Sequence, residues 1–550
     1  MKKKHKYIFV VGGVMSGVGK GIAASSLGRI LQSKGYKVNP IKIDPYLNVD
    51  AGTMNPVEHG EVFVLDAGTE CDQDMGNYER FMEVTLTPED YMTSGMVYKH
   101  VIDKERALGY GGKCVEAIPH ITGEIVRRIK DSAEKSGSDI TLVEIGGTIG
   151  DYQNVLFIEA ARAMKLHSPE NILFVMVSYL PVPGTLGEMK TRPTQNAVRQ
   201  LNSYGVQPDI IIARGTVALD ERRKEKIASA CAIKPNHVIS APDIESVYDV
   251  PINFERDNIG NIVLKALHLR PKNLEADLKD WKKFVEKTKN YRGDINIAVV
   301  GKYFDSGDFV FSDAYVSVIE AMKYSCYWLD RKAKLTWINS KLIETGEVKL
   351  TDLDKFDGVL VPGGFGSSGI EGVISSIKYA RENNIPYFGL CYGMQLMVIE
   401  YARNVLGWKD ANTAEINPKS KHLVIDVMPD QKKKIADGNY GGSMRLGAYP
   451  AKIKSGTLAR EAYKEEIVSE RHRHRYEVNP EYIKDIVKAG LVFSGTSPDE
   501  LLMEIAELPK NKHPFFLGTQ FHPEFKAKPL NPHPLFTAFA KAAKKRSEEK

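Results

Sequence analysis

Residues 6–21, KYIFVVGGVMSGVGKG, decide how the first half of the chain is read. The run from Tyr7 to Val11 is aromatic and β-branched, which predicts a buried strand, and it stops at Gly12 and Gly13. A glycine-rich turn follows and leads into a helical pattern over Gly21–Ser33. Glycines let backbone N–H groups approach a phosphate, a helix N-terminus adds favourable partial charge, and a lysine neutralises the outer oxygens. Ser16, Gly17, Val18, Gly19, Lys20 and Gly21 are therefore candidate nucleotide-phosphate contacts. The match to the usual phosphate loop is imperfect. Five residues rather than four separate Gly13 from Gly19, and Gly21 stands where a Ser or Thr usually holds Mg²⁺. A magnesium ion would have to be held elsewhere, and a plain strand-to-helix turn would also tolerate these glycines.

Outward from this stretch, short apolar runs alternate with helical patterns. Strands are predicted at Tyr7–Val11, Val38–Ile43, Thr141–Ile145, Ile172–Ser178, Ile210–Ala213 and His237–Ser240, with amphipathic helices such as His120–Ser136 between them. That rhythm predicts an α/β fold with a mostly parallel sheet flanked by helices. Asp44–Arg80, rich in Gly, Asp, Asn and Pro, breaks the rhythm and reads as a long functional loop. The charged stretch 271–293 reads as a solvated helix and turn linking two domains, 1–270 and 294–545. A second α/β rhythm starts at INIAVVG and runs through GVLVPGG and PYFGLCYG.

The 550 residues carry 75 Lys+Arg against 70 Asp+Glu, a net charge of +5 that is too weak a field to argue for nucleic acid or a membrane as the main partner. The longest apolar run, Ile172–Val177, is too short to span a bilayer, and the start MKKKHKYIFVVGG reads as a first strand rather than a signal peptide. Five scattered cysteines without CxxC spacing argue against a disulfide scaffold or zinc cluster, so a reducing, cytoplasmic location is expected.

Candidate metal ligands are Asp72 and Asp74 in the glycine-rich loop and Glu144 at a strand end, since Mg²⁺ takes hard oxygen ligands. Lys190-Thr191-Arg192-Pro193-Thr194-Gln195 places cations and hydroxyls before a helix, which suits a second polyphosphate or an ordinary capped helix start. In the second half, Gly389-Leu390-Cys391-Tyr392-Gly393 has the pattern of a nucleophile elbow, and a helix N-terminus favours a thiolate. Gly363-Gly364 could offer N–H groups to an oxyanion. His522 and Glu524, two apart, could point the same way on a strand, the imidazole taking the thiol proton and the carboxylate orienting it.

GLCYGMQ and QFHPEF resemble the class I glutamine amidotransferases. GGVMSGVGKGI, IKIDPYLNVDAGTMNPVEHGEVFV, DQDMGNYERF, IPHIT, VEIGGTIGD and KTRPTQ resemble the CTP synthase family, and the likeness runs from Lys6 to about Ala540. The resemblance implies a ligase with a dethiobiotin-synthetase-like N-terminal amidoligase domain and a flavodoxin-like glutaminase domain. It implies that UTP, ATP and glutamine give CTP, ADP, phosphate and glutamate through a 4-phosphorylated UTP. Carried over residue by residue, it places Lys20, Lys42 and Asp74 at ATP, and Asp74 and Glu144 on Mg²⁺. It places Ser16, Asp151, Tyr152, Gln153, Lys190, Thr191, Arg192, Gln195 and Lys226 at UTP or CTP. Cys391 would be the nucleophile, with His522 as base and Glu524 as its partner. Gly363 and the Tyr392 amide would form the oxyanion hole, and Gln395, Glu415 and Arg473 would hold glutamine. Pro56, His59 and Val62 would line an ammonia passage. A homotetramer and activation by GTP are further implications.

The sequence departs from the family pattern at several points. Ser368 replaces the arginine of the GGFG loop, which predicts altered GTP dependence. Gln153 replaces a glutamate, which bears on CTP feedback. Lys104–Tyr110 has Ala107 where the family has a second arginine, so it carries one cation fewer, which bears on channel gating, and the loop before Gly441 is short. An amidoligase acting on a carboxylate, or a partition-type ATPase with a silent C-terminal half, are the competing readings. KTRPTQ and the Cys391, His522 and Glu524 set weigh against them.

Overall fold

The computed structural model describes residues 5–54, 59–184, 188–273, 278–301, 312–427 and 444–550. Pro56 and the loop before Gly441 fall outside the described residues. Two compact units emerge. One comprises Met1–Ala51 and Asp74–Val285, and the other Gly52–Gln73 and Glu286–Lys550.

The first unit is built on a seven-stranded sheet, all parallel. Its order across the sheet is Tyr91–Thr93, Val38–Asp44, Ile140–Ile145, Lys6–Gly13, Ile172–Tyr179, Ile210–Gly215 and Val238–Pro242. All six strands expected from the apolar runs are present. The near-continuous burial of Val38–Asp44 and Ile140–Ile145 is what helices on both faces of a parallel sheet require. Phe9 and Phe174 stack in the core at 5.3 Å. The helix Lys20–Ser33 buries Leu27, Ile30 and Leu31 completely, each contributing about 1.5–3 kcal/mol. It ends where Gly35 adopts φ 89 and the Tyr36 N–H closes on the Leu31 carbonyl.

The charged segment 271–293 is not simply a solvated helix. Lys279–Lys289 is helical, but Trp281, Phe284 and Val285 are buried. Trp281 packs on Phe81 at 4.9 Å, and its Nε1–H donates to the Tyr248 carbonyl at 2.7 Å. The charges flank an apolar stripe that composition alone hides.

The second unit has a nine-stranded sheet. Lys332–Asn339, Asp294–Gly301, Gly358–Val361, Tyr387–Leu390 and Phe516–Thr519 run parallel. Met503–Glu507, Val492–Thr496, Arg445–Ile453 and Ile467–His474 extend the sheet antiparallel. The stretch expected as a long loop, Asp44–Arg80, contains a hairpin, Val62–Val64 with Glu70–Asp72, and the start of the helix Gln73–Met82. The hairpin belongs to the second unit. Phe63 meets Phe525 edge-on at 5.1 Å, and the Ala448 N–H donates to the Asp66 carbonyl at 2.8 Å. At Gly447, φ is 92, and an added Cβ would lie 2.6 Å from that same carbonyl, so this approach requires glycine. Among the described residues no helix is long and apolar enough to cross a membrane.

Candidate active site

In the first unit the phosphate loop bends through left-handed backbone at Val14, Gly17 and Gly19. Ser16 and Gly17 are exposed at its tip, and Val18 is buried. Lys20 is buried, and its ammonium donates to the Gly147 carbonyl at 2.8 Å. Burial lowers its pKa, only partly opposed by Glu144. Strand register sets Lys42 directly beside Glu144. The Lys42 ammonium bonds Glu144 at 3.0 Å, pairs with Asp74, and lies 3.7 Å from Asp44. Tyr78 donates its hydroxyl to Glu144.

Asp74 is not in the loop, where the sequence reading put it together with Asp72. It sits in the first turn of the helix Gln73–Met82, and Asp72 ends the hairpin. That placement accounts for the missing Ser/Thr. A Cβ on Gly21 would lie 2.0 Å from Asp74 Oδ1, so the carboxylate fills the space a serine there would need. Asp74 and Glu144 thus direct hard oxygens, the donors a divalent ion prefers, at one point that the Lys42 ammonium takes, although among the described residues no group of three or more His, Cys, Asp or Glu side chains is placed to hold a metal ion. The two differ in charge preference. Burial raises Glu144, whereas at Asp74 burial is outweighed by Lys42, Asn77 and Lys20 together, which lower it.

The second set of nucleotide candidates is more dispersed. The Asp151 carboxylate accepts from the Thr148 N–H at 2.6 Å, in the turn whose Gly147 carbonyl takes Lys20. Tyr152 and Gln153 project into solvent, Tyr152 being 96 % exposed. The helix Arg192–Ser203 packs against the phosphate loop, where a Cβ on Gly13 would lie 2.9 Å from that of Ala197. Thr191 precedes this helix without capping it through its side chain, and accepts instead from Gln195 at 3.1 Å. Lys190 pairs with Glu188 at 2.7 Å. Lys190, Lys226 and Arg223 all lower Glu188, so two of the three predicted cations, Lys190 and Lys226, stand around one carboxylate. Sequence reasoning missed Arg214 and Asp44. Arg214 donates to the Val18 carbonyl at 3.2 Å from a strand's carboxyl end, the position at which open α/β sheets bind ligands.

In the second unit Cys391 lies between the strand Tyr387–Leu390 and the helix Tyr392–Asn404. Its φ of 50 and ψ of −96 are strained for a non-glycine residue, as an elbow demands. Its N–H donates to the Thr519 carbonyl at 2.6 Å. His522 and Glu524 meet, but not on a strand. The strand ends at Thr519, and a short turn of 3₁₀ helix, Pro523–Lys526, brings Nδ1 within 2.7 Å of Glu524 Oε1. The His522 Nε2 is buried without a hydrogen bond. Burial by itself lowers this imidazole, but Glu524 and the Cys391 sulfur outweigh it and raise it to about 10.

A cavity of about 660 Å³ is lined by Cys391, Tyr392, Gln395, Glu415, Arg473, Gly363, His522 and Glu524, all eight residues predicted for the thiol chemistry, and also by Val62. A Cβ on Gly363 would lie 2.8 Å from His522 Cε1, so the ring requires glycine there. Glu415 accepts from the Gly366 N–H at 2.8 Å. His59 is not on this cavity. It faces Asp72 at 3.7 Å. The hairpin contributes one feature the sequence reading lacked: Arg473 donates to Glu70 at 2.8 Å. The arrangement suits attack by sulfur on a carbonyl carbon, with an imidazole to move the proton.

Two family models match the chain: "CTP synthase N-terminus" over residues 6–269 and "Glutamine amidotransferase class-I" over residues 310–542. The chain is 50% identical to the CTP synthase of Pyrococcus abyssi over 547 residues, 99% of each chain. It is 49% identical over 538 residues to that of Caldanaerobacter subterraneus subsp. tengcongensis, 98% of each chain. With that of Methanocaldococcus jannaschii it shares 48% identity over 547 residues, 98% of this chain and 99% of the relative.

Proposed function

The chain belongs to the CTP synthase family, and from that premise we propose how its residues divide the work. It is a ligase with an amidoligase domain and a glutaminase domain, and its substrates are UTP, ATP and glutamine. In sequence the amidoligase domain spans 1–270 and the glutaminase domain 294–545, joined by 271–293, with Gly52–Gln73 folding into the glutaminase unit and the linker dividing after Val285. In the glutaminase domain Cys391 attacks the glutamine amide carbon, and its proton passes to His522, which Glu524 orients. The amides of Gly363 and Tyr392 receive the oxyanion, while Gln395, Glu415 and Arg473 hold the substrate. His522 returns that proton to the departing nitrogen so that ammonia leaves, and water then releases glutamate from the thioester.

In the amidoligase domain the loop from Ser16 to Gly21 and the cations Lys20 and Lys42 hold the ATP phosphates. Asp151, Tyr152, Gln153, Lys190, Thr191, Arg192, Gln195 and Lys226 hold UTP. Asp74 and Glu144 would hold Mg²⁺, which would neutralise charge on the phosphate oxygens. The uracil O4 takes the γ-phosphoryl group, and ammonia displaces it to give CTP, ADP and phosphate. Ammonium is no nucleophile, so ammonia is best kept from bulk water between its release and its use. Pro56, His59 and Val62 are assigned to that passage. The enzyme is a cytoplasmic homotetramer, and Ser368 weakens its activation by GTP.

The observation that carries this reading is the single cavity bordered by all eight thiol-site residues. The test follows UTP conversion with glutamine or ammonium as nitrogen donor, with and without GTP. CTP is expected from both donors, with little stimulation by GTP. Failure of ammonium to yield CTP would overturn the assignment.

A further inference from the structure

Gln520 is fully buried between two residues already placed at the thiol. Thr519 accepts the Cys391 N–H through its carbonyl, and His522 supplies the imidazole. The Gln520 N–H donates to the Glu504 carbonyl at 2.8 Å, which anchors its backbone. Its side chain reaches Cys391 Sγ at 3.7 Å through Nε2.

Neighbouring groups settle which end of this amide faces the sulfur. The Tyr476 carbonyl can only accept, and Gln395 Nε2 lies 3.0 Å from it. The same NH₂ group reaches Gln520 Oε1 at 3.4 Å. Gln395 is fixed in turn by its place on the helix, its backbone N–H closing on the Cys391 carbonyl at 3.1 Å. A flipped Gln520 would set nitrogen against nitrogen at Gln395 and oxygen against sulfur at Cys391. The contact at Gln395 would be mismatched in a buried site, where unmet polar groups are costly, and the one at Cys391 would be mismatched once the sulfur is a thiolate.

Two hydrogen bonds to the Cys391 sulfur are thus present, and they favour opposite protonation states. The Arg473 carbonyl, at 3.9 Å, accepts from S–H and suits the thiol. The Gln520 amide donates and suits the thiolate. When His522 takes the proton, the first contact loses its hydrogen and the second strengthens.

We infer that Gln520 is a further catalytic residue of the glutaminase site, its side-chain amide donating a hydrogen bond to the Cys391 thiolate and Gln395 holding it in that orientation. The inference rests on Cys391 being the nucleophile proposed above. The test uses the full chain with Gln520→Met, which keeps length and removes the donor, and Gln520→Leu, which removes the donor with a different shape. Iodoacetamide labelling of Cys391 is followed by mass spectrometry across pH, beside CTP formation from glutamine and from ammonium. Both variants should label about tenfold more slowly at pH 7, with the half-maximal rate reached at higher pH. Glutamine-driven CTP formation should fall in step while ammonia-driven formation stays at the parental rate. A labelling profile identical to the parent in either variant that retains ammonia-driven activity would overturn the inference. A Cys391→Ala chain run alongside separates the two claims: glutamine-driven turnover persisting there would defeat the nucleophile assignment itself.

Discussion

Around Lys42 three carboxylates, Asp44, Asp74 and Glu144, gather on one buried ammonium. Around Cys391 the proton-moving groups are His522 and Glu524, and the remaining contacts are neutral: the Thr519 carbonyl, the Arg473 carbonyl and the Gln520 amide. The first cluster holds three carboxylates together through one ammonium, and under the proposed reading it would rearrange when a polyphosphate and its cation arrive. The second is assembled on backbone and amide dipoles before any substrate binds. Low-dielectric surroundings strengthen both, but only the first depends on every charge being present.

The sharpest way to break this contrast is Cys391→Ala. Glutamine-driven CTP formation should fall by more than about 10³-fold while ammonia-driven formation stays within about twofold of the parent. Loss of both in a folded variant, measured by the same CTP assay, would deny the division of labour. Next in size is Lys42→Met, which leaves buried carboxylates facing one another. Both nitrogen donors should become ineffective, and urea unfolding should show a loss of about 3–5 kcal/mol. A stable, active variant would remove the idea that one ammonium holds the three carboxylates together.

Gly21→Ser restores the usual phosphate-loop residue and sharpens the comparison, because its side chain must displace Asp74. The Mg²⁺ requirement and the KM for ATP should rise about 10–100-fold whichever nitrogen donor is used. The smallest effect concerns pH. The His522 imidazole is raised from 6.5 to about 10 in the folded chain, so the stabilisation from its protonation is complete below about pH 6.5 and is lost as pH rises through about 10. Glu524→Gln removes the main source of that rise. Thermal melts from pH 6.5 to 10 should show a shallower decline in the variant than in the parent. Equal slopes would mean that Glu524 does not hold the proton on His522.

Much of this architecture was legible in residue order because the signals are local. The strand–glycine–helix pattern at Lys6–Gly21 and the elbow at Cys391 need only a few neighbouring residues to declare themselves, and both are where the pattern put them. The linker was less legible. Its charge density masked Trp281, whose burial depends on Phe81 and Tyr248, far away in sequence. His522 and Glu524 were found as a pair, yet by the wrong geometry, since a two-residue spacing fits a strand and a 3₁₀ turn alike.

Composition, periodicity and glycine placement by themselves determined two α/β halves, a phosphate loop and a thiol at a helix N-terminus. Each follows from steric and dipolar rules acting over one turn or one strand. Tertiary structure alone decided that Asp74 fills the space over Gly21, that Arg473 meets Glu70 across 403 residues of chain, and that the hairpin carrying Glu70 packs with the glutaminase strands rather than with the sheet that surrounds it in sequence. Those outcomes depend on which buried surfaces and charges find complements at a distance, and no local rule encodes that.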